Sequence, residues 1–239
     1  MEVHAHPHTP RKKWTHYLWE FLMLFLAVFC GFLAENQREH MVEHQREKVY
    51  IKSLAEDLKQ DTSKLNQIII AFNEKIVYKD SLLKELASPA VFKNSSKAYF
   101  FFEKSRHFPD FIYTDRTIQQ LKNSGNMRLI RNKPVSDSII EYDSWVRNLF
   151  IGQNQLNSLV LTYGVQKNKL FQLRLLETVS NNPSMSVPLL SQNRNDVDEF
   201  YNSMWDQKKF FAWVRDLDVD LLERGTRLIK LIEEEYHLK

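Results

Sequence analysis

One cysteine, Cys30, is too few for an intrachain disulfide framework, a multi-cysteine zinc ribbon or an iron–sulfur cluster. Glycine and proline are scarce as well, at five and seven in 239 residues. That scarcity argues against a many-turned sandwich or barrel and favours long helices. An excess of one charge is also missing: 33 Lys+Arg stand against 30 Asp+Glu, a net of +3. Nucleic acid is therefore not an expected partner. The chain has no G-x-S-x-G nucleophile turn, no phosphate-binding Gly loop and no dinucleotide fingerprint. Neither an enzyme nor a cofactor is expected. Apolar residues are plentiful at 43%, which fits a folded chain rather than a disordered one.

The strongest positive signal is the run from Tyr17 to Ala34. As a helix it covers about 27 Å, close to the hydrocarbon thickness of a bilayer. Glu20 is its only charge, and no polar stripe interrupts it from Phe21 to Ala34. Trp14, Tyr17 and Trp19 place aromatic groups at one membrane interface. Phe32 and Phe29 occupy positions where signal-peptide and lipoprotein cleavage require small residues, so the run reads as an uncleaved signal anchor. Arg11, Lys12 and Lys13 precede it and favour a cytoplasmic N-terminus. The expected location is a bacterial inner membrane, single-pass, with the large domain periplasmic.

The rest of the chain reads as all-α. Residues 1–16 form a short tail with His4, His6 and His8, a weak metal-binding pattern that Pro7 and Pro10 keep from being helical. Residues 35–87 lack Gly and Pro and carry Ile51, Leu54, Leu58, Leu65, Ile68, Phe72, Leu82 and Leu86 in a heptad. Asp61, Lys75 and Lys79 interrupt that heptad. The pattern predicts a long amphipathic helix continuous with the transmembrane helix and ended by Ser88-Pro89. Short helices follow over 97–125, with Gly125 just past the last one. A long helix over 133–178 is expected to start at Asn132-Lys133-Pro134, with Gly152 and Gly164 as weak points. A loop at 179–195 and a C-terminal helix at 196–237, with a break near Asn202, complete a bundle of three or four long helices.

Candidate sites are sparse. Glu20 has three readings: an ion-coupling carboxylate, a contact that fixes helix pairing, or an interfacial acid at a helix N-terminus. Ala27-x-x-x-Gly31 is a small-x-x-x-small spacing that lets two membrane helices approach. His40, Glu43 and His44 match the H-x-x-E-H zinc pattern, but among charged neighbours they read better as a solvated face. Asp115, Arg116 and Thr117 suggest a capping and salt-bridge cluster. Arg116, Arg128 and Arg131 are candidates for an anion or partner contact. Of Asp216, Asp218 and Asp220, the first and last share a helix face and Asp218 points away.

Two stretches carry a resemblance: the FLMLFLAVFCGFLAENQREH run within Trp14–Asp61, and TIQQLKNSGNMRLI within Tyr113–Tyr142. Together they resemble a bacterial family of small single-span membrane proteins described only as a domain of unknown function. The resemblance covers most of the chain in the same order. It implies an integral-membrane location and a helical body, and it supplies no catalytic residue. The expected role is that of a scaffold that self-associates, through the helix from Tyr50 to Leu86, or that binds another membrane protein. A sensory or ligand-binding bundle, with the Phe/Tyr-rich segment 99–113 lining a pocket, is the alternative. An ion-coupled subunit using Glu20 is a third.

Overall fold

The computed structural model describes residues 13–182 and 185–238, all helix, turn or irregular chain with no strand among them. His4, His6 and His8 lie outside the described residues. The chain divides into two units at the Val49–Tyr50 boundary.

Helix α1 runs over Trp14–Ala87. It begins inside the segment expected to be tail, because nothing between Trp14 and Tyr17 opposes a helical turn. Its end follows from Pro89, whose ring disfavours a helical conformation in the residue before it. Ser88 is extended, at ψ 134°, and its hydroxyl accepts from the Ala90 N–H at 3.2 Å. A short 3-10 turn, Pro89–Phe92, leads to α2 (Ser96–Arg106). Helix α3 (Arg116–Asn123) comes next, and Gly125 beyond it adopts φ +67°, the left-handed value that glycine reaches without strain.

Helix α4 covers Lys133–Thr162, with the Asn132 side chain accepting from Val135 N–H at its start. The single helix expected over 133–178 is instead three: α4, α5 (Gly164–Leu170) and α6 (Leu176–Asn181). The first break is at Tyr163-Gly164. The second is at Phe171, whose backbone is extended at φ −111°, ψ 140°. That extension inserts the Phe171 ring, 1% exposed, beside Tyr99, Phe102 and Phe200. Burial of one aromatic ring outweighs the small cost of ending a marginal helix.

The loop expected at 179–195 is shorter, since α6 reaches Asn181 and α7 (Arg194–Tyr236) begins earlier. It is also anchored: Ser95 N–H donates to Val187 O, and Leu190 N–H donates to Leu170 O. Val187 and Leu189 are buried. Helix α7 runs without a break at Asn202. The long helices of the described chain are thus α1, α4 and α7.

Within residues 50–238, α7 lies antiparallel to both other long helices. Lys59 pairs with Glu233 and Lys208 with Asp80 along α1. Arg224 pairs with Glu141 and stacks on Trp145 along α4. One core joins Leu58, Leu65 and Phe72 of α1, Val146 and Leu149 of α4, and Phe211 and Leu221 of α7. A second core joins Leu82 and Leu86 to Tyr99, Phe102, Phe171 and Phe200. The heptad stripe of α1 from Ile51 to Leu86 is therefore buried inside its own chain and is not an open seam for self-association.

Candidate functional site

The N-terminal unit holds a helix long and apolar enough to cross a membrane. No residue of its apolar window is buried, and Phe21, Phe25 and Phe29 stack along one face at i, i+4 spacing. Glu20 Oε1 stands 3.1 Å from His16 Nε2. Ala27 and Gly31 are exposed, and a side chain added at Gly31 would meet nothing. Cys30 is a free, exposed thiol. Beyond this stretch, Arg38 pairs with Glu35 and holds its carboxyl below the usual range. His44 Nδ1 stands 3.3 Å from Glu47 Oε2. No cluster of three His, Cys, Asp or Glu able to hold a metal occurs among the described residues, so His40, Glu43 and His44 are not gathered into a ligand set.

In the body, Asp61, which interrupts the α1 heptad, acts with Asp57 as a tether. Asp57 and Asp61 are 1% and 0% exposed. Asp57 accepts from Arg116 Nε at 2.5 Å, from Thr117 N–H at 3.2 Å and from the Thr117 hydroxyl at 2.5 Å. Asp61 accepts from Thr114 N–H at 2.9 Å and from the Tyr142 hydroxyl at 3.4 Å. Burial pushes the Asp61 carboxyl up, and the Thr114 hydrogen bond opposes that shift. Lys64 adds donations to Ile112 O and the Thr114 hydroxyl. Segment 112–117, which has no regular structure before α3, is thereby fastened to α1.

This arrangement realises the expected cluster with a different carboxylate. Asp115 precedes α3 but makes no side-chain cap bond. Its place is taken by Asp57, 60 residues away from Thr117. Arg116 is thus an ion-pair donor to Asp57 through Nε, with its side chain otherwise largely exposed. Arg128 lies in a 3-10 turn (Asn126–Leu129) and Arg131 just beyond it, and both are exposed.

Two buried ionisable groups were not legible as such. Lys79, 0% exposed, donates to Gln207 Oε1 at 3.1 Å and lies 4.4 Å from the Phe211 ring centre. Burial holds its ammonium down to about 7. Asp218, also 0% exposed, has no hydrogen-bond partner on either oxygen among the described residues. Burial, with a smaller contribution from Asp110, pushes its carboxyl up to about 7. Asp216 and Asp220, by contrast, are exposed. A signal did exist. Gln207, Phe211, Val214, Asp218, Leu221, Gly225, Leu228 and Ile232 recur at alternating spacings of four and three, so Asp218 occupies a core position.

Two of the concavities on the body bear on ligand binding. An open groove of about 730 Å3 runs between α4 and α7, with Ile151, Leu159 and Phe210 among polar Asn154 and Ser158. A smaller cavity of about 160 Å3 is bounded by α2, α5 and α7, and Phe102, Arg106 and His107 contribute to its wall. The aromatic segment expected to line a pocket does supply those three residues. No protein-family model matches the chain, and neither does any curated protein or solved structure.

Proposed function

We propose that the chain is a single-pass membrane protein whose helical body works as an interaction module. The observation that carries this reading is the unburied apolar stretch of α1, with Phe21, Leu24, Phe25, Val28 and Phe32 each well over half exposed. In water, so large an apolar surface is a strong drive to association or membrane insertion. Glu20 beside His16 at the start of the helix supports an interfacial acid over an ion-coupling one. Arg11, Lys12 and Lys13 support a cytoplasmic N-terminus, with the body in the periplasm of a two-membrane bacterium. Exposed Ile151, Leu161, Trp205 and Trp213 give the body apolar surface that a partner can cover. The reading assigns no reaction to the chain.

Alkaline carbonate extraction of native membranes tests the anchor. The full-length chain is expected in the membrane pellet, and its release into the supernatant would overturn the reading. Chemical cross-linking in the same membranes tests the module. A discrete adduct, with a second copy or another membrane protein, is expected, and exclusively monomeric chain would count against it.

A further inference from the structure

The cavity bounded by α2, α5 and α7 has an unusual chemistry for its size. Its apolar wall is Phe102, Val160, Phe200 and Met204. The rings are fixed: Phe102 and Phe200 meet edge-on at 5.5 Å, and both pack on Phe171. Its ionisable wall is basic, with Arg106, His107 and Lys167 and no carboxylate among the lining residues. Arg106 Nε and Glu103 Oε2 form an ion pair at 2.8 Å without a hydrogen bond between them, which leaves the N–H donors of the arginine fork uncommitted among the described residues. The other nearby acid, Asp206, accepts from the Tyr163 hydroxyl at 3.1 Å.

A buried lysine stands next to this wall. Gln207 lines the cavity, and its Oε1 accepts from the buried Lys79 ammonium. No carboxylate charge acts on Lys79; burial is the whole cause of its lowered basicity. A ligand anion one side chain away would favour the protonated form of Lys79 that burial disfavours. Lys167 lies on α5, just beyond the break at Tyr163-Gly164. A volume of about 160 Å3 suits one aromatic ring, since cavities of roughly 150 Å3 take a benzene-sized molecule.

We propose that this cavity binds a one-ring aromatic carboxylate, with the ring between Phe102, Phe200 and Met204 and the carboxylate toward Arg106 and Lys167. The site lies wholly within residues 102–207 and goes beyond the tethered-module reading. It stands or falls independently of membrane insertion.

The test uses the full-length protein in lipid nanodiscs, with empty nanodiscs as blank and 4-fluorobenzoate as probe, followed by fluorine NMR. Saturable binding is expected, at least about tenfold tighter than that of the neutral isostere 4-fluorobenzamide. Arg106→Gln is expected to weaken benzoate binding about tenfold while leaving benzamide binding unchanged. Lys167→Gln, a change at a half-buried position that spares the Glu103 pair, is expected to weaken it in the same selective way. Absence of saturable benzoate binding, equal binding of the amide, or undiminished binding in both variants would overturn the proposal. Chain that binds benzoate but fails to insert into lipid would overturn the anchor and leave this site standing.

Discussion

Asp57 on α1 accepts two hydrogen bonds from Thr117 at one carboxylate oxygen while the other oxygen takes Arg116. One buried acid thus satisfies the start of α3, a job that a local capping residue usually performs. Replacing it strands three donors. Asp57→Ala is expected to cost roughly 2–4 kcal/mol, the scale of a broken buried hydrogen-bond network. Urea unfolding monitored by far-UV circular dichroism checks this. A loss below about 0.5 kcal/mol would mean the segment is held by other contacts.

Asp218 predicts an acid-side pH dependence. Its folded-state carboxyl is raised to about 7, above an unfolded value near 4. The folded form therefore holds a proton that the unfolded form releases between those values, and stability falls as pH rises through that window. A shift of this size corresponds to roughly 4 kcal/mol across the window. Asp218→Asn is expected to remove the decline. Thermal melts from pH 4 to pH 8 compare the two chains. Parallel profiles would show that Asp218 stays ionised or hydrated in the fold.

Lys79 predicts the mirror image at higher pH. Its ammonium is lowered to about 7 from an ordinary value near 10.5. Between these values the unfolded chain binds the extra proton, so stability rises with pH there. The full penalty applies below pH 7. Lys79→Met keeps an unbranched apolar stem and removes the ammonium that stands over Phe211, and is expected to stabilise the fold most at neutral pH and least near pH 10. Melts of both chains at pH 6.5 and pH 9.5 decide it, and a pH-independent difference would refute the assignment.

The two helix-packing glycines are expected to respond differently to a side chain. A Cβ at Gly225 would meet Thr62 Cγ2 at 3.0 Å and the Tyr142 ring at 3.2 Å. Thr62 cannot turn away easily, because its hydroxyl donates to Leu58 O at 2.9 Å. At Gly152 the obstacle is Leu217 Cδ1, at 2.7 Å, the far end of a flexible chain. Gly225→Val is expected to cost about 1–3 kcal/mol by overpacking. Gly152→Ala is expected to stay within about 1 kcal/mol of the parent, since higher helix propensity offsets a small rotation of Leu217. Equilibrium unfolding of the two variants side by side is the check, and equal losses would contradict the contrast.

Periodicity made the long elements readable. The absence of Gly and Pro from 35 to 87 and the Ser88-Pro89 stop delimit the C-terminal part of α1, and Asn132-Lys133-Pro134 marks the start of α4. The α4–α5–α6 breaks escaped because they serve Phe171, whose partners Tyr99, Phe102 and Phe200 are remote in sequence. Polarity misled in a consistent direction. Asp61 and Lys79 sit at heptad core positions, and the pattern alone makes them look like interruptions, while the structure buries both against distant segments. Their partners, Thr114 and Gln207, are 53 and 128 residues away. No local rule anticipates a hydrogen bond over that distance. The basic cavity had the same problem, since only its Phe102–His107 wall lies in a stretch that composition singles out.

Helix α7 supplies residues to both cores: Phe211 and Leu221 to one, Phe200 and Met204 to the other. It is also the last helix among the described residues. Neither core is complete until its share of α7 has been synthesised, Val197 to Met204 for one and Phe211 to Ile232 for the other. Throughout translation, the apolar stripes of α1 and α4 and the rings of α2 remain open to solvent or to a holdase. The chain is therefore expected to be most vulnerable to aggregation and proteolysis before α7 has formed, and truncation ahead of Phe200 is expected to open both cores, whereas truncation beyond Leu221 spares the core around Phe171.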